Sequence, residues 1–143
     1  MTKAPHRLES LLGYQLRRAS SVLMTSLAER LAELGLRTAE ASVLVVLEAE
    51  PLLTQADIGR RLAIKRANMA PLMAGLSARG LVHRTQGEGP ARPLKLSKAG
   101  MALAAEARRQ MEEHDAEHFG QLALEDRDRL SAMLTALWRD AQV

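Results

Sequence analysis

Lys65, Arg66 and Asn68 stand together around Ala67, and three donor side chains within four residues suit the recognition of base edges and phosphates. Arginine can give two hydrogen bonds to guanine, and asparagine can pair in bidentate fashion with adenine. Alanine is small enough to admit close backbone approach or to touch a thymine methyl. His114 and His118 are four residues apart, beside Glu113, Asp115 and Glu117. Such a pair can bind zinc on one helix face, but a third ligand at convincing spacing is missing, so solvated histidines are expected. His6 and His83 have no recognisable site around them. The chain has no phosphate-binding glycine loop, no Gly-x-Ser-x-Gly element and no carboxylate pair set in an apolar surround. Without Cys, thiol catalysis, cysteine redox sensing and cysteine metal sites are excluded. The residues therefore offer binding chemistry rather than catalysis, with neither a metal nor another cofactor expected.

The distribution of charge supports that reading. The net charge is only +3, but residues 59–95 hold Arg60, Arg61, Lys65, Arg66, Arg79, Arg84, Arg92 and Lys95 against Glu88 alone, a net of +7. Residues 1–58 net −1 and residues 98–143 net −3. A positive segment flanked by neutral or acidic ones is what a phosphate-binding surface requires.

The elements that must position these groups follow from periodicity. Leu8, Leu12, Leu16, Ala19, Leu23, Leu27, Leu31 and Leu34 step by threes and fours, predicting one helix over 8–34 that Gly35 stops. Thr38 is placed to cap a second helix through Ala49, ended by Pro51, and its run Val43–Leu47 is apolar all round. Thr54 and Asp57 form a near-capping box for a short helix ending near Ala63. Another helix runs from about Arg66 to Arg79, with Met69, Leu72, Met73 and Leu76 inward and Gly80 after it. Pro71 inside it removes one backbone hydrogen bond, as a tolerated irregularity or a bend that tilts Arg66 and Asn68. Residues 81–85 and 94–96 then alternate as strands do, around a Gly/Pro turn. Ser97 can cap a helix over about 98–118, broken by Gly120, and a last helix covers about 124–141.

Short helix, tight connection, second helix and β-hairpin make a winged helix-turn-helix, in an α+β chain that is mainly α. Its second helix fits the major groove, with Lys65, Arg66, Ala67 and Asn68 toward the bases. The 47% hydrophobic and 2% aromatic composition leaves Leu, Ala, Val and Met to fill a helical core, and no stretch is apolar enough for a membrane span. With neither such a span nor a signal peptide, a soluble cytoplasmic protein is expected.

The chain resembles the MarR (multiple antibiotic resistance regulator) family. The resemblance is carried by Leu53-Thr54-Gln55-Ala56-Asp57-Ile58-Gly59-Arg60-Arg61-Leu62, by Leu76-Ser77-Ala78-Arg79-Gly80-Leu81-Val82, and by Leu96-Ser97-Lys98-Ala99-Gly100. It implies a single MarR-like chain over 1–143, with a winged helix-turn-helix over 38–97. Long helices at 1–34 and 98–143 would interleave in a homodimer, consistent with amphipathic helices at both ends. It also implies a transcriptional regulator on a pseudo-palindromic double-stranded DNA operator, a repressor that releases when a small aromatic or phenolic ligand binds. Contacts to DNA would fall to Thr54, Gln55, Lys65, Arg66, Ala67, Asn68, Arg84 and Arg92. Family members carry Asp-x-Arg at the wing tip, where this chain has Glu88, Gly89 and Pro90. Either Arg92 reaches the minor groove from a shifted position, the favoured alternative, or wing contacts are weak. Arg17, Arg18, Met24, Met69 and Met73 are candidates to line a ligand pocket, with core packing the competing role for each Met. A winged-helix module that contacts protein without sequence-specific DNA binding is the alternative function.

Overall fold

The computed structural model describes residues 7–87, 89 and 91–140. His6, two of the three aligned wing-tip positions (Glu88 and Pro90) and the expected end of the last helix at 141 lie outside the described residues. Among the described residues, six helices and a two-stranded sheet follow in the order α1 (Leu12–Ala32), α2 (Thr38–Ala49), α3 (Gln55–Leu62), α4 (Arg66–Ala78), β1 (Val82–Arg84), β2 (Leu94–Leu96), α5 (Lys98–Phe119) and α6 (Leu124–Arg139). This is the mainly helical winged helix-turn-helix that the sequence predicts. The chain divides into two compact units, Met1–Met111 and Glu112–Val143.

In the first unit the core is built from the end of α1, from α2, α3, α4 and the hairpin, and from the start of α5. Leu31, Val43, Leu44, Leu47, Ile58, Leu76 and Leu94 are essentially sealed from solvent. Each such side chain contributes about 1.5–3 kcal/mol of burial. Two expectations shift at the helix starts. α1 begins at Leu12 rather than residue 8, residues 7–10 forming a turn in which Leu11 N–H donates to the Leu8 carbonyl. Thr38 is the first residue of α2 and not its cap. Arg37 takes the cap position, its N–H donating to Glu40 Oε1 at 2.9 Å. The apolar stripe of α1 also divides. Leu31 is buried and Leu27 and Leu34 pack on the core, whereas Leu12 is 85% exposed and Leu16, Val22 and Met24 are open to solvent.

The hairpin is antiparallel, with Val82 opposite Leu96, His83 opposite Lys95 and Arg84 opposite Leu94. Its second strand has another neighbour: Leu52 N–H donates to the Leu94 carbonyl (3.1 Å) and Leu94 N–H to the Leu53 carbonyl (2.8 Å). The hairpin passes into α5 through Ser97. Its Oγ accepts from Gly100 N–H at 3.0 Å and donates to the Gly80 carbonyl at 2.6 Å. Gly100 meets the residue before β1 so closely that a Cβ there would collide with the Leu81 carbonyl oxygen, which explains the glycine of the Leu-Ser-x-x-Gly pattern.

The second unit holds the remainder of α5 and α6. No residue of α6 is buried, and Leu124, Met133, Leu137 and Trp138 are all exposed. Among the described residues no helix is long and apolar enough to cross a membrane.

Candidate nucleic-acid interface

Thr54 caps α3 as its sequence predicts. Its Oγ1 accepts from Asp57 N–H (3.1 Å), and its own N–H donates to Asp57 Oδ2 (3.0 Å). Hydrogen bonding with Thr54, side chain and then backbone, followed by the Arg60 guanidinium, holds the Asp57 carboxyl below its ordinary value. α3 stops at Ala63, which takes the left-handed conformation (φ 54°), and Ile64 N–H returns to the Gly59 carbonyl. Gly59 permits this tight turn, since a Cβ there would lie 3.1 Å from Met69 Cγ and 3.3 Å from the Ile64 carbonyl oxygen.

Lys65 is therefore the N-cap of α4 and Arg66 its first residue. Lys65, Arg66, Ala67 and Asn68 are all exposed, while Met69, Met73 and Leu76 on the opposite face are buried. The first turn of α4 thus projects its donors outward from a helix fixed along its other side. α4 continues through Pro71, its sixth residue, so the lost hydrogen bond does not end the helix.

The eight cations of the basic segment are not equivalent. Arg60 pairs with Asp57, Arg61 with Glu50, and Arg79 with Glu40 (3.6 Å). Arg79 also donates to the Gly35 carbonyl at 3.0 Å, tying the end of α4 to the turn between α1 and α2. Glu50 raises the Arg61 pKa above its ordinary value through a hydrogen bond and its charge. Lys65, Arg66, Arg92 and Lys95 make no ion pair among the described residues. Arg84 is half-buried, and its Nη2 donates to Gln55 Oε1 at 2.7 Å. Arg92 folds back on the wing, its Nε donating to the Gly89 carbonyl at 3.1 Å and its stem passing beside Gly87.

The comparisons with known proteins agree with this geometry. The family model described as MarR family matches residues 34–93. The transcriptional repressor CouR is 31% identical, with 97% of this chain and 98% of that chain covered at a TM-score of 0.82. This chain belongs to the MarR family. Two DNA complexes are also similar to this MarR-family chain. CouR bound to a 23-mer DNA duplex has 30% identity, 96% and 99% coverage and a TM-score of 0.84. The Mycobacterium tuberculosis MarR family protein Rv2887 in complex with DNA has 29% identity, 89% and 97% coverage and a TM-score of 0.73. A comparison with curated proteins gave no match.

The remaining candidates lie away from α4. Arg17 and Arg18 are exposed on α1, Arg17 standing over the Tyr14 ring at 5.4 Å, and Met24 is also exposed. Met69 and Met73, at 2% and 3% exposure, are part of the core of this MarR-family chain, where packing accounts for them. His118 Nδ1 lies 2.8 Å from the His114 carbonyl oxygen, and the two rings are 4.2 Å apart. No group of three or more His, Cys, Asp or Glu able to hold a metal occurs among the described residues. Sequence reasoning named Gln55 and Arg84 separately and missed their bond. It also missed the carboxylate partners of Arg60, Arg61 and Arg79. The Arg60–Asp57 pair is an i,i+3 helical neighbour that spacing could have found, whereas the other pairings join residues 11 to 39 positions apart and no local pattern announces them.

Proposed function

We propose that this MarR-family chain is a homodimeric, ligand-responsive transcriptional repressor acting in the cytoplasm on a pseudo-palindromic DNA operator. The observation that carries this reading is the first turn of α4, where Lys65, Arg66, Ala67 and Asn68 are exposed above a buried opposite face. Such a helix can lie in a major groove with Arg66 and Asn68 at base edges and Lys65 at a phosphate. Thr54, Gln55, Arg84 and Arg92 belong to the flanking α3 terminus and wing. Support also comes from the two similar proteins solved with DNA.

The open apolar residues of α1 and α6 suit the dimer, which would set two α4 helices about one DNA turn apart. In this reading the winged helix-turn-helix spans 38–97, and dimerisation falls to 1–34 and 98–143. CouR has been solved with p-coumaroyl-CoA and Rv2887 with p-aminosalicylic acid, so the effector proposed is an aromatic acid or its thioester. Arg17, Arg18 and Met24 are its candidate contacts on α1, and Met69 and Met73 would act only by supporting the wall from the core.

The test is binding of the full chain to duplexes from its own upstream region, followed by fluorescence anisotropy across a salt series. Tight, sequence-selective binding that weakens steeply with salt is expected, because each phosphate contact releases counterions. No binding at low salt overturns the regulator reading in favour of a protein-contacting winged helix.

A further inference from the structure

The ends of α1 and α4 are joined by one side chain. α1 closes at Gly35, which takes the left-handed conformation (φ 70°), with Gly35 N–H donating to the Ala32 carbonyl and Leu36 N–H to the Leu31 carbonyl. Arg79, the C-cap residue of α4 and 44 positions further on, donates from Nη1 to the Gly35 carbonyl at 3.0 Å. The same nitrogen lies 3.6 Å from Glu40 Oε2 in the first turn of α2, and Glu40 Oε1 accepts from Arg37 N–H at 2.9 Å. The Glu40 side chain is only 14% exposed. One guanidinium thus meets the last turn of α1, the first turn of α2 and the end of α4. Its charge suits the negative end of α1, as the carboxylate suits the positive end of α2. Arg60 and Arg61 also hold carboxylates, but their partners lie in α3 itself and at the end of α2, so neither reaches α1.

We infer that Arg79 is a positioning residue that ties α4 to the end of α1 and so sets the span between the two α4 helices of the dimer, making it a determinant of half-site spacing. This rests on the dimeric DNA-binding reading above. In that reading the open apolar part of α1 meets a second copy, while its last turn is anchored in the core by Leu31. The hydrogen-bonded helix between them is stiff, so the last turn follows the dimer contact. The inner face of α4 is held by Met69, Met73 and Leu76, whose aliphatic contacts are non-directional and resist sliding weakly. A charged donor on a fixed carbonyl is directional, and supplies the register that packing lacks. One half-site needs only the first turn of one α4. A palindrome needs two such turns at a fixed distance, and there alone the tie to α1 bears on affinity.

The experiment compares full-chain wild type, Arg79→Ala and Glu40→Gln by fluorescence anisotropy on three duplexes made from the upstream sequence that wild type binds. One carries both half-sites, one carries both with a base pair added between them, and one carries a single half-site with the other scrambled. Arg79→Ala is expected to bind the palindrome about tenfold more weakly and the single half-site within about twofold of wild type. It is also expected to lose most of the discrimination against the added base pair. Its log–log salt slope should stay that of wild type, because Arg79 meets no phosphate. Glu40→Gln, which keeps an acceptor for Arg37 N–H, should move the same readouts in the same direction by less, and it carries the test if Arg79→Ala fails to fold. Equal losses on palindrome and half-site would confine Arg79 to supporting α4 within one protomer. A slope reduced by about 0.9 would place it on a phosphate, and an unchanged palindrome affinity would show the tie to be idle. Each of these results overturns the inference while leaving the DNA reading intact. Failure of wild type to bind any upstream duplex overturns the DNA reading, and the inference with it.

Discussion

Leu52 holds a left-handed backbone conformation (φ 71°) with its side chain 56% exposed. A leucine there carries a steric cost of about 1–2 kcal/mol, and little burial repays it. The conformation persists because Leu52 N–H and the Leu53 carbonyl are both bonded to β2. Leu52→Gly should therefore stabilise the protein, by about 0.5–1 kcal/mol after the greater chain entropy of glycine, read as a higher urea midpoint. Gly100 is the opposite case. Its missing side chain is what lets α5 approach the Leu81 carbonyl, and Gly100→Ala should cost about 1–3 kcal/mol by the same measurement. Arg66 is exposed and makes no ion pair among the described residues, so Arg66→Ala should leave the urea midpoint unchanged. Its effect should fall on operator affinity instead, a loss of roughly 1–3 kcal/mol with relaxed preference at one base pair.

At the scale of elements, α3 is the short helix that precedes the proposed DNA-contacting turn of α4. It has eight residues, and its capping box is what makes so short a helix persist at its N-terminus. Asp57 carries a testable pH dependence. Its folded pKa lies below the ordinary 3.8, so its contribution is complete above that value and is lost as pH falls through the lower folded one. Acid unfolding of the wild type should therefore steepen below about pH 4. Asp57→Asn should flatten that part of the stability profile, and an unchanged profile would count against the box. α4 shows a different economy. Its outer face is exposed and its inner face is core, so the helix that carries the proposed DNA contacts cannot shift without disturbing Met69, Met73 and Leu76.

For the whole molecule, charge and exposed apolar surface make separate predictions. Arg60, Arg61 and Arg79 already hold carboxylates, whereas Lys65, Arg66, Arg92 and Lys95 make no ion pair among the described residues. A dimer using these four per protomer would show a log–log salt slope of about −7, whereas all eight cations of the segment would allow about −14. Titration of operator binding between low and moderate salt separates the two. The exposed face of α6 should be covered by a second copy. Leu137, at 66% exposure, and the sole tryptophan, Trp138, at 56%, are its reporters. Dilution of the wild type should red-shift Trp138 emission as the dimer dissociates. Leu137→Glu should give a monomer by sedimentation at concentrations where the wild type is dimeric.

The sequence alone determined the order of elements, the cap at Thr54, the turns at Gly35 and Gly80, and the outward group Lys65–Asn68. All of these are set by neighbours within a few residues: capping oxygens, glycines that tolerate positive φ, and helical or strand alternation. It placed the start of α1 four residues early, because an apolar stripe continues across residues 8–11 whether or not the backbone there is helical. What only the tertiary structure decided is how charges and anchors are shared. The partners of Arg61 and Arg79, the division of α1 into buried and open parts, and the attachment of Leu52 and Leu53 to β2 all depend on distances in the folded chain. So does the wing. From sequence its tip was the place to look for a DNA-binding arginine, with Arg92 as the candidate. Folding brings Arg92 back to Gly89 and brings Arg84 to Gln55, because a three-residue strand takes its direction from what it is fastened to.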